Sequence, residues 1–176
     1  MASDHGHPAS CRCALHGAPA SQSLDELDFL KSACSAAQTG NLERLDRLTA
    51  SNPAALLTDG SGGNSGYTPL HYAARAGQDQ AVELLLQRGA EVNRQTTAGR
   101  ATALHRAAYM GHCSTVQLLL SHGADPMLQD ADGCTALHKA SQQGHKHAAC
   151  MLLKAVPAAA QVVNHRGQLP VLRPQP

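Results

Sequence analysis

Thr68-Pro69-Leu70-His71 is echoed by Thr102-Ala103-Leu104-His105 and by Thr135-Ala136-Leu137-His138, with 34 residues from the first histidine to the second and 33 from the second to the third. Self-similarity at that period marks a solenoid in which each unit is a turn plus two helices. No unit can bury its apolar face alone, so neighbours must stack to make a core. Thr68, Thr102 and Thr135 are placed to cap a helix N-terminus, and Pro69 falls at the first helical position, where its missing N–H costs nothing. Gly77, Gly111 and Gly144 end these helices about two turns later. Each second helix follows at once. Its apolar runs are Ala81-Val82 with Leu84-Leu85-Leu86, Val116 with Leu118-Leu119-Leu120, and Ala148-Ala149 with Met151-Leu152-Leu153.

Working outward, residues 1–23 carry prolines, serines and alanines without helical period and read as a flexible tail. Order is expected from residue 24 to residue 167. Leu24, Leu27 and Leu30 fall three apart behind Ser23, an N-cap with Glu26 at capping-box spacing, which predicts a helix docked on the first repeat. A degenerate cap repeat at about 30–59 carries Cys34 where later units carry His. Thr58 to Ser65 is a Gly/Ser connection and the expected mobile loop. Regular repeats follow at about 64–96, 97–129 and 130–163. Gly89 and Gly123 stop the second helices of the first two, whereas the last runs into Val156-Pro157. Asn164-His165-Arg166-Gly167 begins a fifth turn that Pro170, Pro174 and Pro176 keep from continuing, leaving 168–176 as a Pro-rich tail.

Composition fits this reading. The chain of 176 residues has a formal net charge of +1, with one Phe, three Tyr and no Trp, so Leu, Ala and Val must fill the core. Thin repeating layers need little more. The charge balance gives no basic footprint for nucleic acid, and no apolar stretch approaches the roughly 18 residues of a membrane span. The N-terminus lacks the basic and apolar segments of a signal peptide, so cytosol or nucleus is the expected location, with the six cysteines reduced.

The Thr-x-Leu-His-x-Ala core between helix-ending glycines, repeated three times, resembles the ankyrin-repeat family from about Ala33 to Gly167. The resemblance implies an all-α solenoid of helix-turn-helix units joined by β-hairpin-like loops. It also implies a non-catalytic module, monomeric and without cofactor, that binds a protein partner on its concave face as an adaptor or scaffold. The extra residue in Gly99-Arg100-Ala101-Thr102, where family units have Gly-x-Thr, is a departure at one hairpin tip. A further implication concerns Asn93, which follows a Leu-rich second helix with Leu85 eight positions before it. Ankyrin repeats with that pattern are substrates of the oxygen-dependent asparaginyl hydroxylase, so Asn93 is the candidate modification site. The alternative is an Asn whose side chain bonds local backbone in a turn.

In an ankyrin stack the hairpin tips and the first-helix residues after His point into the concave face. Aligning the units gives one column of Tyr72, Arg106 and Lys139, a second of Arg75, Tyr109 and Gln142, and a third of Ala76, Met110 and Gln143. Tyr67, Arg100 and Cys134 extend the face onto the tips. Tyr, Arg and Met are the types enriched at protein interfaces. Tyr72, Arg106 and Tyr109 are expected to sit centrally and exposed. With cations in the middle and Asp130 and Asp132 to one side, the face suits a partner bearing an acidic segment.

Other chemistry is weaker. His71, His105 and His138 recur at one structural position in layers roughly 10 Å apart, too far to share a zinc ion with ligands about 2.1 Å from it. Each imidazole is expected to bond its cap Thr and nearby backbone. Asp125, Asp130 and Asp132 near His138 read as turn residues rather than a catalytic pairing. The competing function class is a metal-responsive protein using His5, His7, Cys11, Cys13 and His16, five soft ligands within twelve residues. Their spacing is not that of a Cys-x-x-Cys knuckle, and no folded scaffold is predicted to hold them. Cys34 is expected to be a small core substitute, with Cys113, Cys134 and Cys150 at loop, tip and outer-helix positions.

Overall fold

A computed structural model describes residues 32–57 and 65–171. Its α-helices come in pairs: α1 (Ala33–Thr39) with α2 (Leu42–Ser51), α3 (Pro69–Ala76) with α4 (Asp79–Gln87), α5 (Ala103–Met110) with α6 (Cys113–Ser121), and α7 (Ala136–Gln142) with α8 (Lys146–Ala155). The first helices α1, α3, α5 and α7 pack one on the next, and the second helices form a parallel layer behind them. No helix among the described residues is long and apolar enough to cross a membrane. The predicted helix from Leu24 and most of the Gly/Ser connection lie outside the described residues, as do 172–176.

Small side chains let the first helices approach. Ala36, Ala37, Ala73, Ala74, Ala107, Ala108 and Ala140 are fully buried between them, while Leu45, Leu85, Leu119 and Leu152 form a ladder of fully buried leucines in the second layer. Each such leucine contributes about 1.5–3 kcal/mol over its exposed state. Cys34 is buried among the alanines of the first unit, as expected of a core substitute.

Each first helix of the regular units starts in a capping box formed by Thr68 with His71, Thr102 with His105, and Thr135 with His138. The expected bonds to the cap Thr and nearby backbone form, the Thr N–H donating to Nδ1 at 3.2 Å in each unit, but the imidazoles also reach beyond their own unit. While Nδ1 meets the Thr hydroxyl at 2.8–2.9 Å, Nε2 reaches a carbonyl of the next unit: Ala101 at 3.0 Å, Cys134 at 3.0 Å and Gln168 at 3.1 Å. A carbonyl only accepts, so Nε2 carries the proton and Nδ1 accepts. The imidazoles are therefore rivets between layers. Because the last rivet closes on Gln168, whose carbonyl also takes the Asn164 N–H, the bonded unit extends one residue past Gly167.

The loops are hydrogen-bonded turns. Thr96 N–H donates to Ala101 O, Asp130 N–H to Cys134 O and Asn164 N–H to Gln168 O, and successive loops are joined by Thr97 N–H to Ser65 O, Ala131 N–H to Gly99 O and His165 N–H to Asp132 O. A second set of links runs behind them. His112 Nε2 donates to Arg75 O and His145 Nε2 to Tyr109 O, both at 3.1 Å. Gly77 and Gly111 lie under those rings in left-handed conformation, and a Cβ added there would stand 2.7 and 2.6 Å from Nδ1 of His112 and His145. At α7 the cap is Gln143, with Gly144 the left-handed residue after it. Both terminal units leave their second helix through the same extended residue before a proline, Asn52 at φ −142° and Val156 at φ −142°, into a short 3₁₀ turn.

Candidate interaction face

The hairpin tips lean on the first helices. Tyr67, at the tip of the unit containing α3, has its ring 5.6 Å from that of His71 and 5.5 Å from that of Tyr72. The guanidinium carbon of Arg106, on α5 of the next unit, stands 5.0 Å from the Tyr67 ring centroid, a cation–π distance. Packing of this kind leaves Tyr72 and Arg106 partly buried, which corrects the expectation that they sit exposed. Tyr109 and Met110, both about one turn further along α5, are open apolar surface, each 43% exposed. Arg75, Gln142 and Gln143 are exposed on the same register of α3 and at the end of α7.

A groove of about 320 Å³ runs between the hairpin tips and the helices, with Gly99, Arg106, Tyr109, Asp130, Asp132 and Lys139 among its lining residues. Its charges are already partly used. Lys139 Nζ lies 2.6 Å from Asp130 Oδ2 and 3.8 Å from Asp132 Oδ2. Asp130 is itself a keystone of its hairpin, accepting the N–H groups of Asp132 at 2.9 Å and Cys134 at 2.8 Å. Burial pushes its carboxyl up, but the Lys139 ammonium and those N–H groups outweigh this and hold it below the ordinary range. Lys139, aligned with Tyr72 and Arg106 as a partner-facing cation, is thus tied to its own hairpin. Arg106 is not: its Nε is buried and meets no acceptor among the described residues.

Two tip residues stand elsewhere than alignment placed them. The turn from Thr96 to Ala101 is one residue longer than that from Asp130 to Cys134; the added residue is Ala98, between Thr97 and Gly99, which bond the adjoining loops as Ala131 and Asp132 do, while Arg100 at φ 48° takes the left-handed step of Gly66 and Gly133 in the neighbouring units. Arg100 therefore corresponds to Gly133, and Ala101 to Tyr67 and Cys134. The Arg100 side chain is exposed, and no ion pair reaches it among the described residues. Cys134 is buried rather than displayed, its sulfur 3.7 Å from Gln142 Nε2 and 3.8 Å from Asn164 Nδ2. Cys113 is the first residue of α6, not a loop residue, and Cys150 is exposed on α8.

Asn93 is bonded across units rather than within its turn. Its Nδ2 donates to Gly123 O at 3.1 Å, and its Oδ1 accepts from Asp125 N–H at 2.9 Å. His5, His7, Cys11, Cys13 and His16 lie outside the described residues. The Tyr67–Arg106 stack and the Lys139–Asp130 pair escaped sequence reasoning. The first joins residues of different units and no spacing marks it; Asp130 was legible as a turn residue, but its cation was not.

Residues 70–120 and 114–153 match the family model for ankyrin repeats (many copies), so the regular part of the stack is built of ankyrin repeats. Among curated proteins the chain is 41% identical over 75 residues to human ankyrin repeat domain-containing protein 39, covering 43% of this chain and 39% of that protein. It is 36% identical over 114 residues to mouse Rabankyrin-5, covering 63% of this chain and 10% of the relative. To the rice probable E3 ubiquitin-protein ligase XBOS32 it is 38% identical over 119 residues, covering 68% and 23%. The chain spans well under half the length of each of these relatives.

Proposed function

We propose that this stack of ankyrin repeats is a non-catalytic adaptor whose concave face binds a protein partner. The ankyrin repeats indicate a protein-interaction module. The observation that carries the finer reading is the groove between hairpin tips and first helices, with the half-exposed Tyr109 and Met110 beside it. Rivets at every layer hold that surface rigid, so little ordering entropy is lost on binding. The repeated histidines are occupied: His71, His105 and His138 each use both ring nitrogens within the stack. The ligase relative has about three quarters of its length outside the match, and its activity is not carried over to this chain.

The test compares two surfaces. Arg75, Tyr109 and Met110 replaced together by Ala should abolish partner capture from cells. An outer-face control on exposed positions, Glu83→Gln with Gln117→Ala, should retain it, both proteins melting as the parent does. The three positions are exposed, so changes in stability should stay within about 0.5 kcal/mol each. Partners held equally by both variants would place the binding surface elsewhere.

A further inference from the structure

We propose that the groove around Arg106 receives a carboxylate side chain of an extended, acidic partner segment, with an apolar partner residue next to it on Tyr109 and Met110. The inference rests on the concave-face reading and names the chemistry of the partner. Four cations lie on or beside this face, and the structure sorts them. Lys139 is neutralised by Asp130 and Asp132. Arg75 and Arg100 are exposed and in no ion pair among the described residues, Arg100 sitting between two lining residues of the groove. Arg106 is held in place without an anion, its guanidinium laid over Tyr67 and its Nε buried with no acceptor among the described residues. The guanidinium is in no ion pair among the described residues, and a carboxylate matches it, since the two groups meet through paired, charge-assisted hydrogen bonds.

The opposite wall decides which anion. The Asp132 side chain is 72% exposed and only 3.8 Å from the ammonium it shares with Asp130. It imposes a negative field on the groove, which a single-charged carboxylate tolerates better than a phosphate of nearly two charges. Tyr109 lines the same groove and Met110 adjoins it, so the residue beside the acid meets an apolar surface. Arg100 holds its exposed guanidinium on a left-handed backbone that its neighbours assign to Gly. Retention of a costly conformation at a candidate site is consistent with a side chain needed there.

The full chain is panned against a random linear peptide display library, and synthetic versions of the enriched peptides are titrated by fluorescence anisotropy. The enriched peptides should carry Asp or Glu next to an apolar residue, and their affinity should fall as salt rises. Arg106→Gln should weaken them at least tenfold, Arg106→Lys should recover only part, and Asp132→Asn should tighten them severalfold. The gain in Asp132→Asn decides the matter even where an Arg106 variant folds poorly. Peptides lost on Tyr109→Ala but free of acid and indifferent to Arg106 would overturn the carboxylate while leaving the concave face standing. Tighter binding of the same peptides with phosphoserine in place of the acid would overturn the choice of anion. Peptides indifferent to every one of these substitutions, or no enrichment at all, would overturn both readings.

Discussion

Arg100 and Gly133 occupy the same step of successive hairpins, at φ 48° and φ 73°. Only one of them is suited to it. A non-glycine residue in the left-handed region costs roughly 1–2 kcal/mol, partly offset by the extra chain entropy that Gly loses on folding. Arg100→Gly should therefore raise stability by up to about 1 kcal/mol, read as a shift in urea midpoint at constant slope. An unchanged or lower midpoint would mean that the longer turn is relaxed with Arg in place.

Gly77 is expected to be intolerant for two separable reasons, its φ of 70° and the His112 ring that a Cβ would meet at 2.7 Å. Gly77→Ala should destabilise by about 2 kcal/mol or more. In a double-mutant cycle, His112→Ala should relieve the steric part but not the backbone part. Full additivity in that cycle would remove the ring from the explanation.

Acid should loosen the stack before it protonates Asp130. Burial pushes the His71 imidazole from 6.5 down to about 4, and burial likewise lowers His105 against the bond it donates to Cys134 O. With the folded value below the unfolded one, these histidines contribute full stability above pH 6.5. That stability is lost as the pH falls from about 6.5 toward about 4, at up to roughly 1.4 kcal/mol per pH unit for each group. Asp130, held below its ordinary 3.8, contributes a separate loss only at lower pH. Urea midpoints between pH 7.5 and pH 4.5 should fall steadily in the parent and less steeply in His71→Gln. A flat profile in the parent would contradict neutral, buried imidazoles.

Leu85 and Leu119 are fully buried rungs of the second-helix ladder. Leu85→Ala or Leu119→Ala should cost about 2–5 kcal/mol, because the cavity adds to the lost transfer energy. Each layer contacts only its neighbours, so hydrogen exchange should accelerate in adjoining repeats as well. Midpoints unaltered in urea would undo the layer assignment.

Asn93 should be hydroxylated slowly by the asparaginyl hydroxylase with iron, oxygen and 2-oxoglutarate, since its bonds to Gly123 and Asp125 must open first. Intact mass should show one added oxygen, absent in Asn93→Ala and faster in the loosened Leu119→Ala. No addition under conditions that modify a control repeat protein would dismiss the site.

Much of the fold was legible in short segments. Thr68, Gly77 and the run Leu84-Leu85-Leu86 announce cap, stop and buried face, because each is set by backbone geometry within a turn or two of itself. Of the aligned positions, Tyr109 is exposed as expected, and Met110 beside it equally so. The register failed by one residue at Arg100, where alignment assigned the extra residue to a side chain on the face. The backbone instead gives Arg100 the left-handed step of Gly133, and the added residue lies before Gly99.

The chain by itself determined the repeat, the helix pairs and the composition of the core, since these depend on periodicities a helix imposes on contiguous residues. Tertiary structure alone decided how each charge and imidazole is used. His105 reaches Cys134 O, Lys139 reaches Asp130, and Arg106 lies on Tyr67 with its Nε unanswered among the described residues. Partners like these are chosen by distances across stacked layers. A difference of an ångström or two separates a bonded cation from a free one, and no spacing in the sequence encodes that difference.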